Sequence, residues 1–216
     1  MAFFLFLCVE IHLPIVNHPA SIQTFIQAIY PLSENALQIM IAQWELVELT
    51  KGTILFYEGK TASDIYLIAQ GIARAFCYKE DKELTFWFGK EGDFVLSYNS
   101  YIYDKPGYES IELLEDSVLY TIGHEELHAL YQQNSEIANW GRKLAEQELV
   151  RTEERFISQL LQTATDKYNA LLEHSPELLQ RVPLGHIASF LGVTQVTLSR
   201  IRKKITPTPP SSEGVS

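Results

Sequence analysis

From Leu184 to Lys204 the chain reads LGHIASFLGVTQVTLSRIRKK, and the residues in it that could meet a ligand are donors. Gln195, Thr197, Ser199, Arg200, Lys203 and Lys204 carry amide, hydroxyl, guanidinium and ammonium groups. These are the side-chain types that contact base edges and phosphates. They act together only if one element presents them on one face, and the residues between them supply that element. Ala188 is small where two crossing helices must approach closely. Gly192, four residues on, suits the positive φ of a sharp turn, and Leu198, six further, is the apolar anchor of a second helix. Thr194 is placed to N-cap that helix, its hydroxyl taking up an otherwise unpaired backbone N–H and standing beside the other donors. The spacing predicts a helix-turn-helix with DNA as its ligand.

Charge distribution points the same way. The chain of 216 residues has a net charge of −10, which argues against a general nucleic-acid binder. Residues 178–212, however, hold Arg181, Arg200, Arg202, Lys203 and Lys204 and no Asp or Glu. A positive tip on a negative body brings one surface to DNA while the rest is repelled.

A second constellation competes for attention. His124-Glu125-Glu126-Leu127-His128 fits H-E-x-x-H, which sets two imidazoles one helical turn apart with a Glu as base, and Glu146 or Glu148 could complete a zinc set. Leu127 and Leu130 explain the same helix as a plain amphipathic one, so no metal and no catalytic residue is expected. Cys8 and Cys77 form neither a metal spacing nor a disulfide framework, which fits a reducing, cytoplasmic setting. Cys77 reads as a small buried hydrophobe. The opening MAFFLFLCV is apolar but lacks a positive flank and is too short to span a bilayer, so residues 1–14 are an extension of unknown role.

The elements that must carry these residues follow from periodicity. Ile22, Phe25, Ile26 and Ile29 recur at helical spacing, Pro31 interrupts, and Ser33 caps a second run through Trp44. From 45 to 122 short β-branched and aromatic strands alternate with glycines, the mark of a small barrel or sandwich. Helical character returns at 124–133. A longer helix starts at Ser135 with Ile137, Trp140, Leu144 and Val150 on roughly one side, and another is expected over about 154–173. The tail TPTPPSSEGVS is expected to be disordered.

This order of helix, β-roll, long helix and helix-turn-helix resembles the Crp/Fnr family of bacterial transcription regulators. The stretches that carry the resemblance are KGTILFYEGKTASDIYLIAQGIARAF, GHEELHALYQQNSEIANWGRKLAEQ and the terminal LGHIASFLGVTQVTLSRIRKK. It implies an α+β chain: a β-roll sensor of the cyclic-nucleotide-binding type over 15–134, a dimerisation helix over 135–153, a DNA-binding domain over 154–206 and a tail over 207–216. It also implies a homodimer joined through Ile137, Trp140, Gly141 and Leu144, a palindromic operator in double-stranded DNA, RNA polymerase as a further partner, and a small-molecule effector. Phe86, Trp87, Phe88, Tyr98, Tyr101, Tyr103 and Tyr108 make the β-roll aromatic. An effector pocket is expected at Trp87, Phe88, Tyr98, Tyr101, Glu109 and Ser110.

Departures from the family pattern shape the functional expectation. Members that bind cyclic nucleotides carry an Arg-Ser or Arg-Thr near the end of a phosphate cassette. Here FVLSYNSYIYDKPGYESIELL occupies that region and Glu109-Ser110 stand in place of Arg-Ser. No Arg occurs between Arg74 and Arg142, so a ligand phosphate lacks its guanidinium. Two cysteines cannot hold a four-cysteine iron–sulfur cluster, and no cofactor is implied. Val196 occupies the recognition-helix position where many relatives have Glu, so the operator should differ. No wing hairpin is expected after Lys204. The reading is a cytoplasmic regulator with an effector other than cAMP. A ligand-binding β-roll without operator binding, or a zinc hydrolase, are the alternatives.

Overall fold

The computed structural model describes residues 21–80 and 82–205. The N-terminal extension with Cys8, and the tail from 207, lie outside the described residues. Two short helices open the chain, α1 (Ile22–Ile29) and α2 (Glu34–Ile41). Pro31 lies between them, and the Ser33 hydroxyl accepts the Ala36 N–H at 3.4 Å as the N-cap of α2. Six strands follow: β1 (Glu45–Leu49), β2 (Ile54–Phe56), β3 (Asp64–Gln70), β4 (Ala73–Lys79), β5 (Lys82–Gly89) and β6 (Phe94–Val95). A helix that the sequence pattern did not announce, α3 (Tyr98–Tyr103), precedes β7 (Ser110–Leu113) and β8 (Ser117–Gly123).

The strands form two antiparallel four-stranded sheets, ordered β1-β8-β3-β6 and β2-β7-β4-β5. Phe56, Ile68, Ala73, Ala75, Val95, Ile111, Leu113 and Leu119 fill the space between them. Strand β5 ends its sheet, and among the described strands it pairs with β4 alone. No described helix is long and apolar enough to cross a membrane.

The helices α4 (His124–Gln133) and α5 (Ser135–Leu161) come next, then α6 (Ala164–His174), α7 (Leu178–Arg181), α8 (Leu184–Phe190) and α9 (Gln195–Ile205). Helix α5 runs 27 residues, past the break expected near residue 154. The sequence places a strong start signal further on. Thr163 and Asp166 form a capping box, the Thr163 hydroxyl accepting the Asp166 N–H at 3.2 Å and the carboxylate accepting the Thr163 N–H at 3.0 Å. The helix therefore ends where that box begins.

The first turns of α5 are core, which takes Ile137 and Trp140 out of the expected dimer seam. Ile137 and Trp140 are fully buried within their own chain, among α1, α2, β3 and α4. The Trp140 indole N–H donates to the Ile26 carbonyl at 2.8 Å, and its ring meets Phe94 edge-on at 5.6 Å. Leu144 packs against the same cluster. Gly141 serves this packing too: a Cβ there would fall 2.4 Å from the Tyr131 ring, so its lack of a side chain admits α4. The exposed apolar residues of α5 lie further along: Leu149, Val150, Phe156, Ile157, Leu160 and Leu161.

Candidate nucleic-acid interface

The helix-turn-helix is built as its residue types require. Ile187, Ala188, Leu191, Leu198 and Ile201 are buried where α8 crosses α9. Gly192 turns the chain with φ +70°, a conformation that costs other residues strain. The Thr194 hydroxyl accepts the Thr197 N–H at 3.2 Å and lies 3.1 Å from the Thr197 hydroxyl. Both threonines are thus engaged in capping before any ligand arrives. Gln195 reaches back over Gly185, where an added Cβ would fall 2.8 Å from its side-chain nitrogen.

With Leu198 and Ile201 pointing inward, a helical advance of about 100° per residue directs Val196, Ser199, Arg200 and Lys203 outward. Val196 is 62 % exposed and Arg200, Lys203 and Lys204 are exposed beside it. Among the described residues none of these three cations forms an ion pair. The face is an apolar spot ringed by unpaired positive charge at the end of an acidic chain.

A separate contact network joins this helical unit to the β-roll, and no local sequence pattern announced it. Arg74 on β4 is 2 % exposed. Its guanidinium pairs with Glu112 at 2.6 Å and with Glu83, donates to Thr85 at 3.1 Å, and stands 4.3 Å over the Phe76 ring. Nη1, the nitrogen that meets Glu83 and Thr85, also reaches His186 Nδ1 on α8 at 2.7 Å. Arginine has no acceptor, so Nδ1 receives this bond and the imidazole is neutral with its proton on Nε2. Burial and the adjacent guanidinium both push the His186 pKa down. The hydrogen bond from Arg74 holds the Glu83 carboxyl below its ordinary range.

Three residues on, Ser189 accepts the Thr85 N–H at 2.9 Å and donates to the Glu83 carbonyl at 3.0 Å. Phe190 packs on Phe88 with ring centroids 5.2 Å apart. Lys90 pairs with Glu177 at 2.6 Å, and Arg181 bridges Glu91 at 2.7 Å and Glu115. Burial opposes ionisation of Glu91, but the bonds from Arg181 and the Gly71 N–H prevail and its pKa is lowered. Ile72 and Leu114 of the β-roll lie in the same apolar cluster as the core of the helix-turn-helix.

The residues expected around an effector do not gather in one place. Phe88 faces α8, which removes it from any β-roll pocket. Tyr101 packs against His124 and His128, with ring centroids 6.1 and 5.1 Å away, and is also removed. Both corrections arise because adjacent strand residues face opposite sides and α3 re-aims its own. Trp87 lies against the inter-sheet core and Tyr98 is partly exposed, its hydroxyl pushed up to about 12 by burial and by Glu148. Glu109 and Ser110 are buried. The Glu109 carboxylate accepts the Tyr108 N–H at 3.0 Å, and the Ser110 hydroxyl accepts the Glu58 N–H at 3.0 Å.

Half-buried Cys77 has its thiol pushed up by burial and by Glu58 and Glu109, the opposite of an activated nucleophile. His124 and His128 have ring centroids 5.4 Å apart, and among the described residues no third Cys, His, Asp or Glu joins them in a metal-binding group.

Comparison with known proteins gives this architecture its class. Residues 46–134 match the family described as cyclic nucleotide-binding domain. No curated protein sequence matches the chain. Among solved structures it is similar to FixK2 from Bradyrhizobium japonicum, at 18 % identity over 75 % of this chain and 84 % of that one, with a TM-score of 0.65. It is similar to the regulator CLP of Xanthomonas campestris, at 18 % identity over 80 % and 91 %, with a TM-score of 0.60. The Thermus thermophilus catabolite activator protein aligns at 18 % identity over 82 % and 85 %, with a TM-score of 0.52. The chain therefore has a β-roll that matches the cyclic nucleotide-binding domain family, followed by helices and a helix-turn-helix, the fold also seen in the solved Crp/Fnr regulators.

Proposed function

We propose that the chain is a sequence-specific, non-catalytic transcription regulator that binds a palindromic operator as a homodimer and answers to an effector other than a cyclic nucleotide. The observation that carries this is the outer face of α9. Arg200, Lys203 and Lys204 stand unpaired around Val196 in a chain of net charge −10, which suits a polyanion with a readable groove. Arg200 is assigned to a base edge, with Thr194, Gln195, Thr197 and Ser199 sharing phosphate and base contacts and Lys203 and Lys204 on phosphates.

The dimer reading rests on the stripe from Leu149 to Leu161, whose apolar side chains are exposed among the described residues. A long helix with an apolar stripe suits an isologous two-helix seam. The effector reading rests on Glu109, a buried carboxylate standing where a phosphate-binding arginine would be. Selection of bound fragments from random DNA with the full chain tests the class. Enrichment of a palindrome supports it, and recovery of unenriched sequence overturns it.

A further inference from the structure

A cavity of about 200 Å³ lies where the end of α5, α6, β5 and α8 meet. Phe86 of β5, Phe190 of α8 and Leu171 of α6 make its apolar wall, and Arg155 of α5 and Lys167 of α6 stand at its rim. Both cations are half-buried. Arg155 donates to the Thr152 hydroxyl at 2.8 Å and Lys167 to the Gln159 side-chain carbonyl at 2.5 Å, neutral partners in both instances. Among the described residues neither has a carboxylate within ion-pair distance. This contrasts with Arg74, Lys90 and Arg181 nearby, each of which is paired. Two partly buried cations that line one cavity without a carboxylate partner among the described residues are placed to receive an anion.

The cavity is also separate from the stripe assigned to the dimer seam. At about 100° per residue, Arg155, Ser158 and Gln159 lie on the side of α5 opposite Phe156, Ile157 and Leu160. A second chain on that stripe would leave the cavity open.

We propose that this cavity is a binding site for a small aromatic carboxylate. Its size suits one ring, since a cavity of roughly 150 Å³ accommodates benzene. Phe86, Phe190 and Leu171 hold the ring, and the carboxylate is received by Arg155, whose planar fork matches it, with Lys167 as a second charge. The ligand touches the β-roll, the long helix and the helix-turn-helix at once, so its occupancy fixes their mutual posture. The site goes beyond the operator reading and does not depend on it.

The test uses the full chain and 4-fluorobenzoate observed by fluorine NMR, without DNA. Saturable shift and broadening in the micromolar-to-millimolar range is the expected result. Arg155→Gln combined with Lys167→Gln should weaken it at least about tenfold, while 4-fluorobenzylamine, of opposite charge, should show no saturation. Inorganic phosphate, an anion without a ring, should not displace the probe. No saturable change, binding unaltered in the double variant, or equal binding of the amine would each overturn the proposal. Circular dichroism establishes that the double variant is folded; if it is not, Phe86→Ala, which removes the ring contact from a partly exposed position, carries the same expectation.

Discussion

The join between the β-roll and the helix-turn-helix and the outer face of α9 are both rich in arginine and lysine, yet the two regions treat charge in opposite ways. At the join, Arg74, Lys90 and Arg181 are each answered by glutamates of the same chain. On α9, Arg200, Lys203 and Lys204 are exposed and have no acidic partner among the described residues. The first arrangement spends its cations on holding two folded units in one posture. The second leaves them open to the polyanion proposed as the ligand. On the proposed reading, pairing, more than charge itself, separates the structural arginines of this acidic chain from those that bind.

The contrast can be broken from either side. Arg74→Ala should have the largest effect, because it leaves Glu83 and Glu112 facing each other in a partly buried site. A loss of about 3–5 kcal/mol is expected, read as a fall in the urea midpoint, and a variant as stable as wild type would remove Arg74 from the structural class. Leu160→Asp comes next. It places a charge in the exposed stripe of α5 and should remove on the order of 2–4 kcal/mol of dimerisation free energy. Sedimentation should then show monomers with weakened operator binding, whereas a variant that stays dimeric would move the seam elsewhere. Arg200→Ala should lower operator affinity by ~1–3 kcal/mol and relax one base pair per half-site, with unchanged thermal stability. Lost stability instead would assign Arg200 to the paired class.

A smaller effect sharpens the join. His186 faces Arg74 from β4, Glu83 from β5 and Glu112 from β7, and its pKa is lowered by burial and then by the guanidinium. The unfolded chain therefore takes up the proton first. The contribution of the neutral imidazole is complete above its ordinary value of 6.5 and is lost as pH falls below it. Asp93, pushed up to about 6 by burial, works in the reverse sense, since the folded state then holds the extra proton below that value. His186→Gln isolates the imidazole: its stability should fall less than that of wild type on acidification, and parallel pH curves would dissociate His186 from the join. The smallest expected effect is none. Calorimetric titration with cAMP and cGMP should give no saturable heat, because Glu109 replaces the phosphate partner. Micromolar binding abolished by β-roll substitutions would overturn this.

The two regions also differed in how far sequence alone revealed them. The helix-turn-helix is encoded within twenty-one residues: Ala188, Gly192, Thr194 and Leu198 carry out locally what their types and spacing suggest. The β-roll was legible as a class from its glycines and strands, while α3 was not, because its aromatic and polar residues YNSYIY fit neither a clear helical nor a strand period. The join was invisible. Arg74 meets His186 across 112 positions, and Ser189 meets Thr85 across 104, separations over which no periodicity operates. The misplaced seam has a similar origin. Ile137 and Trp140 form an apolar stripe on α5 that looks identical whether it is covered by a partner or by α1 and the first sheet. Only the fold decides which.

The covering of β5 by α8 has a consequence for handling the protein. Ser189 occupies both the N–H of Thr85 and the carbonyl of Glu83 on a strand whose far side has no neighbour in its sheet. If the helix-turn-helix swings away, those groups are bared on a rim that also shows Leu84 and Phe86. Bared rims of this kind recruit strands from other molecules and seed intermolecular sheets. Truncation before α8, or conditions that loosen it, should therefore favour aggregates with a cross-strand signature in the infrared, and the helix-turn-helix doubles as a guard against self-association of the β-roll.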